Sequence, residues 1–290
     1  MNRQSKPLQT LLAARHRRSL LNVSAAATRH PESTPENRTA EAAARRPVLI
    51  AVSGAAGGVG RSCVSLHLAR CLAAGGRTCL LDANEGLSHT AVLGGLTSWP
   101  SVADGFLGAG GPARSLYELP GGVCGMAGLA PYLAGTAGEA ELARVETSLA
   151  DFECCVADVG LRTSPAARRA LVEADVAVLV TTPTPLALAE TYAAMKALRS
   201  RPSGHLAVVL NRVRDAAVGR LAVERLTRTS QTFLGRRPSA VAMVADDPSV
   251  ERAAEARDCT QVNCEGPFHA AIAGFAARLS RRAGHERVAA

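Results

Sequence analysis

The regular alternation of short apolar segments with amphipathic segments, which begins at Pro47, is the feature that most constrains the fold. Short apolar runs bounded by turn residues predict buried strands, and apolar residues at helical spacing predict helices packed on a sheet. The predicted strands cover residues 48–52, 78–81, 154–157, 176–181, 205–210 and 239–243, and the predicted helices cover 62–74, 165–173, 186–200, 219–229, 249–256 and 267–282. This order predicts an α/β fold, with a doubly wound, mainly parallel sheet flanked by helices in three layers.

The domain organisation follows from length and composition. The 290 residues are enough for one large domain with its own core. Residues 24–46 are rich in Ala, Thr, Pro, Glu, Asn and Arg without an apolar period, which is typical of a flexible linker. We predict a flexible arm and linker at 1–46, one domain at 47–285 and a tail at 286–290. The sequence lacks a run of about 18 apolar residues and the features of a secretory signal, so we expect a cytoplasmic protein.

The composition limits the classes of partner and site. A formal net charge of +8 and a pI of 9.4 favour an acidic partner, but only Lys6 and Lys196 among the 33 basic residues are lysine, which indicates a chain-wide preference for arginine. Most of the eight cysteines lie in apolar segments, which is typical of free buried thiols. The sequence has no His/Cys cluster at ligand spacing, so we expect no metal site built from protein ligands alone.

A glycine-rich loop, VSGAAGGVGRS at residues 52–62, follows the first predicted strand and opens the first predicted helix. The backbone N–H groups of such a loop converge on an anion at the helix N-terminus. The sequence therefore predicts a phosphate-bearing ligand.

One interpretation of this loop is a dinucleotide site. Gly54, Gly58 and Gly60 resemble the loop of the NAD(P)-binding short-chain dehydrogenases, with Asp82 as a candidate ribose acceptor and the pair Tyr192 and Lys196 at that family's spacing. The serine that the resemblance requires about a dozen residues before the tyrosine falls in the apolar run 176–180. We keep this dehydrogenase-like function as an alternative.

The other interpretation is the deviant Walker A loop of the MinD/ParA ATPases. Residues 56–62 resemble this loop in the spacing of the glycines and in the final serine. Further segments resemble, in the same order, those of the FlhG/FleN flagellar-number regulators: residues 80–87, 156–158, 174–185, 192–193, 211–213, 233–234 and 244–250. The resemblance runs from about residue 48 to 279. It implies a P-loop NTPase fold, Rossmann-like in its three layers, and ATP or ADP with Mg²⁺ as cofactor.

The resemblance also implies which residues bind. The phosphates would lie on Gly57, Gly58, Val59, Gly60, Arg61 and Ser62. The adenine would lie near Asn211 and the segment around Asp247, and Mg²⁺ would be held through the nucleotide by Ser62, Asp82 and Asp158. Simpler interpretations stay open, since the two aspartates could merely end strands, Ser62 could be a helix N-terminal hydroxyl and Asn211 a turn residue.

Three positions depart from the family pattern. Arg61 stands at the P-loop lysine, Ala56 at the signature lysine, and Asn84 at the second carboxylate of the Asp-x-Asp segment. Phosphoryl transfer depends on positioning and charge neutralisation, and an asparagine cannot act as a base. We expect weak or absent ATP hydrolysis and name no catalytic residue. An active ATPase, with arginines in place of the lysines, is the alternative.

The resemblance also suggests partners. FlhG proteins stimulate the GTPase FlhF through an N-terminal segment, of which this chain keeps Gln4 and Leu8. We expect a protein partner, either an FlhF-like GTPase or a component of a polar or flagellar assembly. The loss of the signature lysine at Ala56 predicts a monomer or weak homodimer. A partition protein that binds DNA is a further alternative, although we do not expect a nucleic-acid partner.

The last predicted helix has an apolar stripe with two interpretations. The stripe consists of Phe268, Ile272, Phe275 and Leu279, with Arg278, Arg281 and Arg282 nearby. Relatives of the MinD type use an amphipathic C-terminal helix to contact the inner face of the membrane, which would suit this stripe. Packing against the core is the other interpretation.

Overall fold

Eight strands form one sheet in the computed structural model, which describes residues 46–54, 56–108, 111–161, 163–199 and 205–289. The strands are β1 Val48–Gly54, β2 Thr78–Asp82, β3 Leu116–Leu119, β4 Val123–Ala127, β5 Cys154–Leu161, β6 Val176–Thr181, β7 His205–Val213 and β8 Ala240–Ala245. Their order in the sheet is β3-β4-β2-β5-β1-β6-β7-β8. All neighbours are parallel except β3, which runs antiparallel to β4.

Helices connect the strands and cover the sheet. They are α1 Arg61–Ala73, α2 His89–Leu93, α3 Val102–Leu107, α4 Ala130–Ala134, α5 Glu139–Leu149, α6 Pro165–Glu173, α7 Pro185–Ala197, α8 Ala216–Leu234, α9 Pro248–Ala256 and α10 Pro267–Ala289. Short 3₁₀ turns lie at Pro112–Ser115 and Cys259–Gln261.

The core has two halves, one on each face of the sheet. In β1, Leu49 and Ala51 belong to the half covered by α4 to α7, whereas Ile50 and Val52 belong to the half covered by α1 and α10. Because successive side chains point to opposite faces, a strand covered on both sides must be apolar throughout. This explains the uninterrupted apolar runs and confirms the predicted fold class.

The six predicted strands are all present, but β3 and β4 were not predicted. β3 has four residues, and its Tyr117 and Glu118 do not form an apolar run. The two strands join through Gly121 and Gly122, both with positive φ, in a tight turn. They extend the sheet beyond β2 as an antiparallel hairpin, which strand-helix alternation does not predict.

The strand order contradicts the dehydrogenase interpretation. In the dinucleotide-binding fold, whose strand order is 3-2-1-4-5-6, the first and second strands of the chain are neighbours in the sheet. Here β5 lies between β1 and β2 and pairs with both. Lys196 is exposed near the end of α7, a helix that starts after β6 and runs back from the edge where the glycine loop lies. Lys196 and the loop therefore belong to opposite ends of the sheet.

The apolar stripe of the last helix belongs to the core. Phe268, Ile272, Phe275 and Leu279 are each at most 1% exposed and pack with residues of α1 and β8. The structure thus supports core packing, and this stripe is not available to a membrane. No helix in the described part of the chain is both long and apolar enough to span a bilayer.

The N-terminal arm predicted at 1–46 lies outside the described residues except for Arg46. The Arg46 guanidinium forms an ion pair with Asp175, with Nη1 2.7 Å from Oδ2, and Oδ2 also accepts from the backbone N–H of Leu49 at 2.8 Å. This contact ties the start of β1 to the start of β6. The eight cysteines are free thiols, and Cys264 alone among them is exposed.

Candidate functional site

The glycine loop lies at the edge of the sheet where the parallel strands end, because it connects the carboxyl end of β1 to α1. Gly58 has φ 72° and Gly60 has φ 86°, a left-handed conformation that favours glycine at both positions. A Cβ at Gly57 or Gly58 would meet no atom within 4 Å, so this side of the loop is open. The first turn of α1 faces the same edge, which suits an anionic ligand.

Asn211, at the end of β7, holds the loop in place. Its Nδ2 donates to the backbone oxygen of Val59 at 2.9 Å, and the residue is 5% exposed. A Cβ at Gly60 would collide with the Asn211 amide, so this contact depends on the glycine. The structure brings Asn211 to the loop, while its contact with adenine stays a prediction.

Asp158, in β5, is the most buried polar group of the site. Its Oδ2 accepts from Ser62 Oγ at 2.7 Å and from Asn84 Nδ2 at 2.9 Å. Its Oδ1 accepts no hydrogen bond from the described residues and forms an ion pair with Arg61 Nε at 3.3 Å. Burial, and secondly the nearby charge of Asp82, raise the pKa of Asp158, against the opposing effects of these partners.

Arg61 points back into the site. Its side chain is only 14% exposed, with Nη2 3.3 Å from Asn84 Oδ1 in addition to the ion pair with Asp158. The charge at the position of the P-loop lysine is therefore kept but is partnered within the protein. A nucleotide would have to compete with Asp158 for this guanidinium.

Asn84 links the two aspartates. Its Nδ2 donates to Asp82 Oδ1 at 2.8 Å as well as to Asp158, and its backbone N–H donates to Asp82 Oδ1 at 3.0 Å. A carboxylate has no donor and could not make the side-chain bonds. From the sequence we predicted only that Asn84 cannot act as a base, and this bridging role was not predicted.

Asp82, at the end of β2, anchors the loop that follows it. Its Oδ2 accepts from Ser88 Oγ and Thr90 Oγ1, both at 2.8 Å, and from the backbone N–H of Thr90 at 3.1 Å. Sequence reasoning missed Ser88 and Thr90. The available signal was a pair of hydroxyl residues six and eight positions after an aspartate, where a short helix begins, a pattern that fits side-chain hydrogen bonding to nearby groups.

Ala56 and Asp247 lie outside this polar cluster. Ala56 is half-buried and packs against the half of the core that contains α1, so its methyl group brings no charge to the loop. Asp247 caps α9, with Oδ1 accepting from the backbone N–H of Ser249 at 2.9 Å. Its predicted place near adenine stays a prediction.

The cluster fits a nucleotide-bound Mg²⁺ ion in its chemistry. Mg²⁺ takes oxygen ligands and usually keeps several waters. Ser62 Oγ and the Asp158 carboxylate lie together, and Asp158 Oδ1 has no hydrogen-bond donor among the described residues. Asp82 differs from the other two, because its oxygens are already engaged by Asn84, Ser88 and Thr90.

Two curated proteins are similar in sequence, although no family model matches the chain. One is the flagellum site-determining protein YlxH of Helicobacter pylori, 27% identical over 188 residues, which are 63% of this chain and 64% of that protein. The other is the antiactivator FleN of Pseudomonas aeruginosa, 29% identical over 218 residues, which are 71% of this chain and 76% of that protein. The match thus spans less than two thirds of the Helicobacter protein.

Solved structures share the fold. A chain of the MinC:MinD cell division protein complex of Aquifex aeolicus aligns with a TM-score of 0.64 at 18% identity, covering 80% of this chain and 95% of that one. The septum site-determining protein MinD of Pyrococcus horikoshii, complexed with Mg-ADP, aligns with a TM-score of 0.62 at 16% identity. The alignment covers 82% of this chain and 97% of that one. These likenesses show that the chain has the same fold as those proteins.

Proposed function

The chain is a MinD/ParA-type protein, FlhG/FleN-like in sequence, and from this premise we propose that it is a nucleotide-binding regulator of the number or placement of flagella, or of another polar assembly. The two curated relatives, a flagellum site-determining protein and the antiactivator FleN, support the biological role. The observation that carries nucleotide binding is the open glycine loop, joined through Ser62 and Asp158 to a polar cluster at the ends of the strands.

ATP or ADP is the proposed ligand. The open side of Gly57 and Gly58, next to the start of the 13-residue helix α1, suits a phosphate group. Bound Mg²⁺ would neutralise phosphate charge, with Ser62 and Asp158 as the residues that hold it. Asp82 contributes by fixing the loop that carries Asn84. The Mg-ADP complex of the Pyrococcus MinD supports this choice of ligand.

Hydrolysis is proposed to be weak or absent. Ala56 supplies no charge to the loop, and Asn84 uses its amide to bridge two carboxylates, so neither can replace the cation or the base that the family pattern has there. Arg61 is engaged by Asp158. An active ATPase is the second candidate, because the Arg61 guanidinium lies beside the loop and would be available to phosphate if the ion pair opened.

A protein partner is proposed to bind at the same edge. Leu161 is the last residue of β5, and Leu87 and Leu186 follow the ends of β2 and β6. Their exposed fractions are 40%, 59% and 69%. Exposed apolar side chains around a site mark an interaction surface. An FlhF-like GTPase or a component of the polar or flagellar assembly is the proposed partner, in the cytoplasm, with the chain itself a monomer or weak homodimer.

Calorimetric titration of the full chain with ATP and ADP in Mg²⁺, followed by a phosphate-release assay, tests the biochemical proposal. Binding of either nucleotide without turnover is the expected result. Ser62→Ala should weaken binding because the hydroxyl contacts Asp158, whereas Ser280→Ala, an exposed serine on α10, should not. Absence of binding to both nucleotides would refute the nucleotide site, and steady turnover would refute impaired hydrolysis.

Deletion of the gene, with flagella or polar structures counted by electron microscopy, tests the biological proposal. A changed number or position, restored by the wild-type chain, is expected. Unchanged counts in a host that builds such structures would contradict the regulatory role.

A further inference from the structure

Among the residues that the structure describes, no strand pairs with the outer edge of β8, which is a free edge of the sheet in this sense. This strand is last in the order and pairs with β7. On the side of the sheet that faces α8, Val241 is half-buried and Met243 is 38% exposed. An edge strand offers unpaired backbone N–H and C=O groups, which bind another strand readily unless the edge is covered.

A groove of about 610 Å³ lies between α8 and this edge. One side is formed by Val223, Thr227 and Gln231, which are spaced four residues apart and therefore share one face of the helix. The other side is formed by Val241 and Met243 of β8. The groove thus has apolar side chains of both α8 and β8 in its walls.

The groove carries unbalanced positive charge. Arg220, Arg228 and Arg237 line it together with a single carboxylate, Glu224, which pairs with Arg228 at 2.5 Å. Arg220 and Arg237 form no ion pair with any residue of the described ranges. On the opposite face of the sheet, Arg278 Nη2 donates to the backbone oxygen of Val241 at 3.3 Å. Cations therefore lie on both faces of the edge.

We propose that this groove binds an extended acidic segment of another protein, which pairs with β8 as a ninth strand. Backbone hydrogen bonds to an edge strand provide affinity, and side chains on alternate residues provide specificity. Acidic side chains of the segment would point to the α8 side of the sheet and contact Arg220 and Arg237. The alternate, apolar side chains would point to the opposite face, beside Ala242 and Val244 of β8.

The charges disfavour the two occupants that this protein could itself provide. Residues 1–45 contain eight Arg or Lys residues against three acidic residues. Those three, Glu32, Glu36 and Glu41, are interspersed with Arg29, Arg38 and Arg45, so this segment offers no continuous acidic stretch to the groove. Pairing of β8 with β8 of a second copy would bring the same arginines together. An acidic segment from a different protein is the occupant that the charges favour.

Binding of synthetic peptides to the full chain tests the proposal. The probe is a fluorescently labelled ten-residue peptide of alternating glutamate and valine, and its comparison is the same peptide with lysine for glutamate. The glutamate peptide should bind with an affinity that falls as salt is added, and it should protect the amides of Ala240–Ala245 from hydrogen exchange. The lysine peptide, and a glutamate peptide methylated on alternate backbone nitrogens, should not bind.

Charge reversal locates the contact. The double variant Arg220→Glu with Arg237→Glu should lose roughly tenfold or more in affinity for the glutamate peptide. Arg225→Glu, which changes an exposed arginine of the same helix outside the groove, should lose much less. Circular dichroism and thermal unfolding establish that both variants are folded. Failure of the glutamate peptide to bind, equal binding of the lysine peptide, or equal effects of the two variants would overturn the proposal.

Discussion

Replacing Asn84 with aspartate removes the only side-chain amide that joins Asp82 and Asp158 among the described residues. Its Nδ2 donates to Asp82 Oδ1 at 2.8 Å and to Asp158 Oδ2 at 2.9 Å. An ionised carboxylate at this position has no donor, and it would place three carboxylates around the single guanidinium of Arg61. We expect Asn84→Asp to be markedly less stable than the wild type at neutral pH without divalent ions.

We expect Asn84→Asp to lower the free energy of unfolding at neutral pH by about 3 kcal/mol. A hydrogen bond to a charged group contributes about 1.5–3 kcal/mol, and two such bonds are lost. The lower value applies to each because Asn84 is half-buried and water can replace part of the contact. The neighbouring carboxylates raise the pKa of the new group above its unfolded value of about 4. Its stability deficit is therefore small below pH 4 and grows as pH rises through the folded pKa.

Urea unfolding at pH 4.5 and pH 8, each in EDTA and in Mg²⁺, measures this effect. The deficit of Asn84→Asp should be larger at pH 8 and should shrink when Mg²⁺ binds the carboxylates. Asn84→Ala is the matched control, since it loses the same bonds without adding charge and should show less dependence on pH. A free energy of unfolding within about 0.5 kcal/mol of the wild type at pH 8 in EDTA would refute the bridging role.

Three further predictions concern other parts of the structure. Phe275→Ala should lower the free energy of unfolding by about 3–5 kcal/mol, whereas Phe233→Ala, 69% exposed on α8, should change it by less than about 0.5 kcal/mol in urea titrations; equal effects would contradict the core position of α10. Gly60→Ala should lower the thermal midpoint, because of its φ of 86° and the Asn211 amide, and an unchanged midpoint would show that the loop adapts. Burial raises the pKa of Glu146 to about 7, so its contribution to stability is lost as pH rises through that value, and Glu146→Gln should raise the thermal midpoint at pH 8 but not at pH 4.

The sheet could be predicted where a strand is buried on both faces. Val176–Thr181 is buried at every position, so its apolar run predicts the strand without further information. The position and length of the glycine loop were equally predictable. Its left-handed backbone at Gly58 and Gly60 requires glycine, and these glycines are visible in the sequence. The hairpin β3–β4 was not predictable in this way, since an edge strand with Tyr117 and Glu118 lacks the apolar pattern.

The polar contacts of the site could not be predicted from sequence. The ion pair of Arg61 with Asp158 and the bridge made by Asn84 join residues of β5 with residues near β1 and β2. They exist only because β5 lies between those strands, and side-chain direction depends on that placement. The apolar stripe that includes Phe275 illustrates a related difficulty, because helical periodicity is the same for a face that meets a core and one that meets a membrane.

The position of β5 also bears on how the chain is made. β1 and β2 are not neighbours, and both pair along one side with β5, whose last residue is Leu161. At a synthesis rate of about 5–20 residues per second, β5 leaves the ribosome roughly 5–20 s after β1. Through that interval the edges of β1 and β2 that pair with β5 leave their backbone N–H and C=O groups without that strand, and such long-range parallel pairing is slow and prone to aggregation. The nascent chain should therefore depend on chaperone binding until residue Leu161 has emerged.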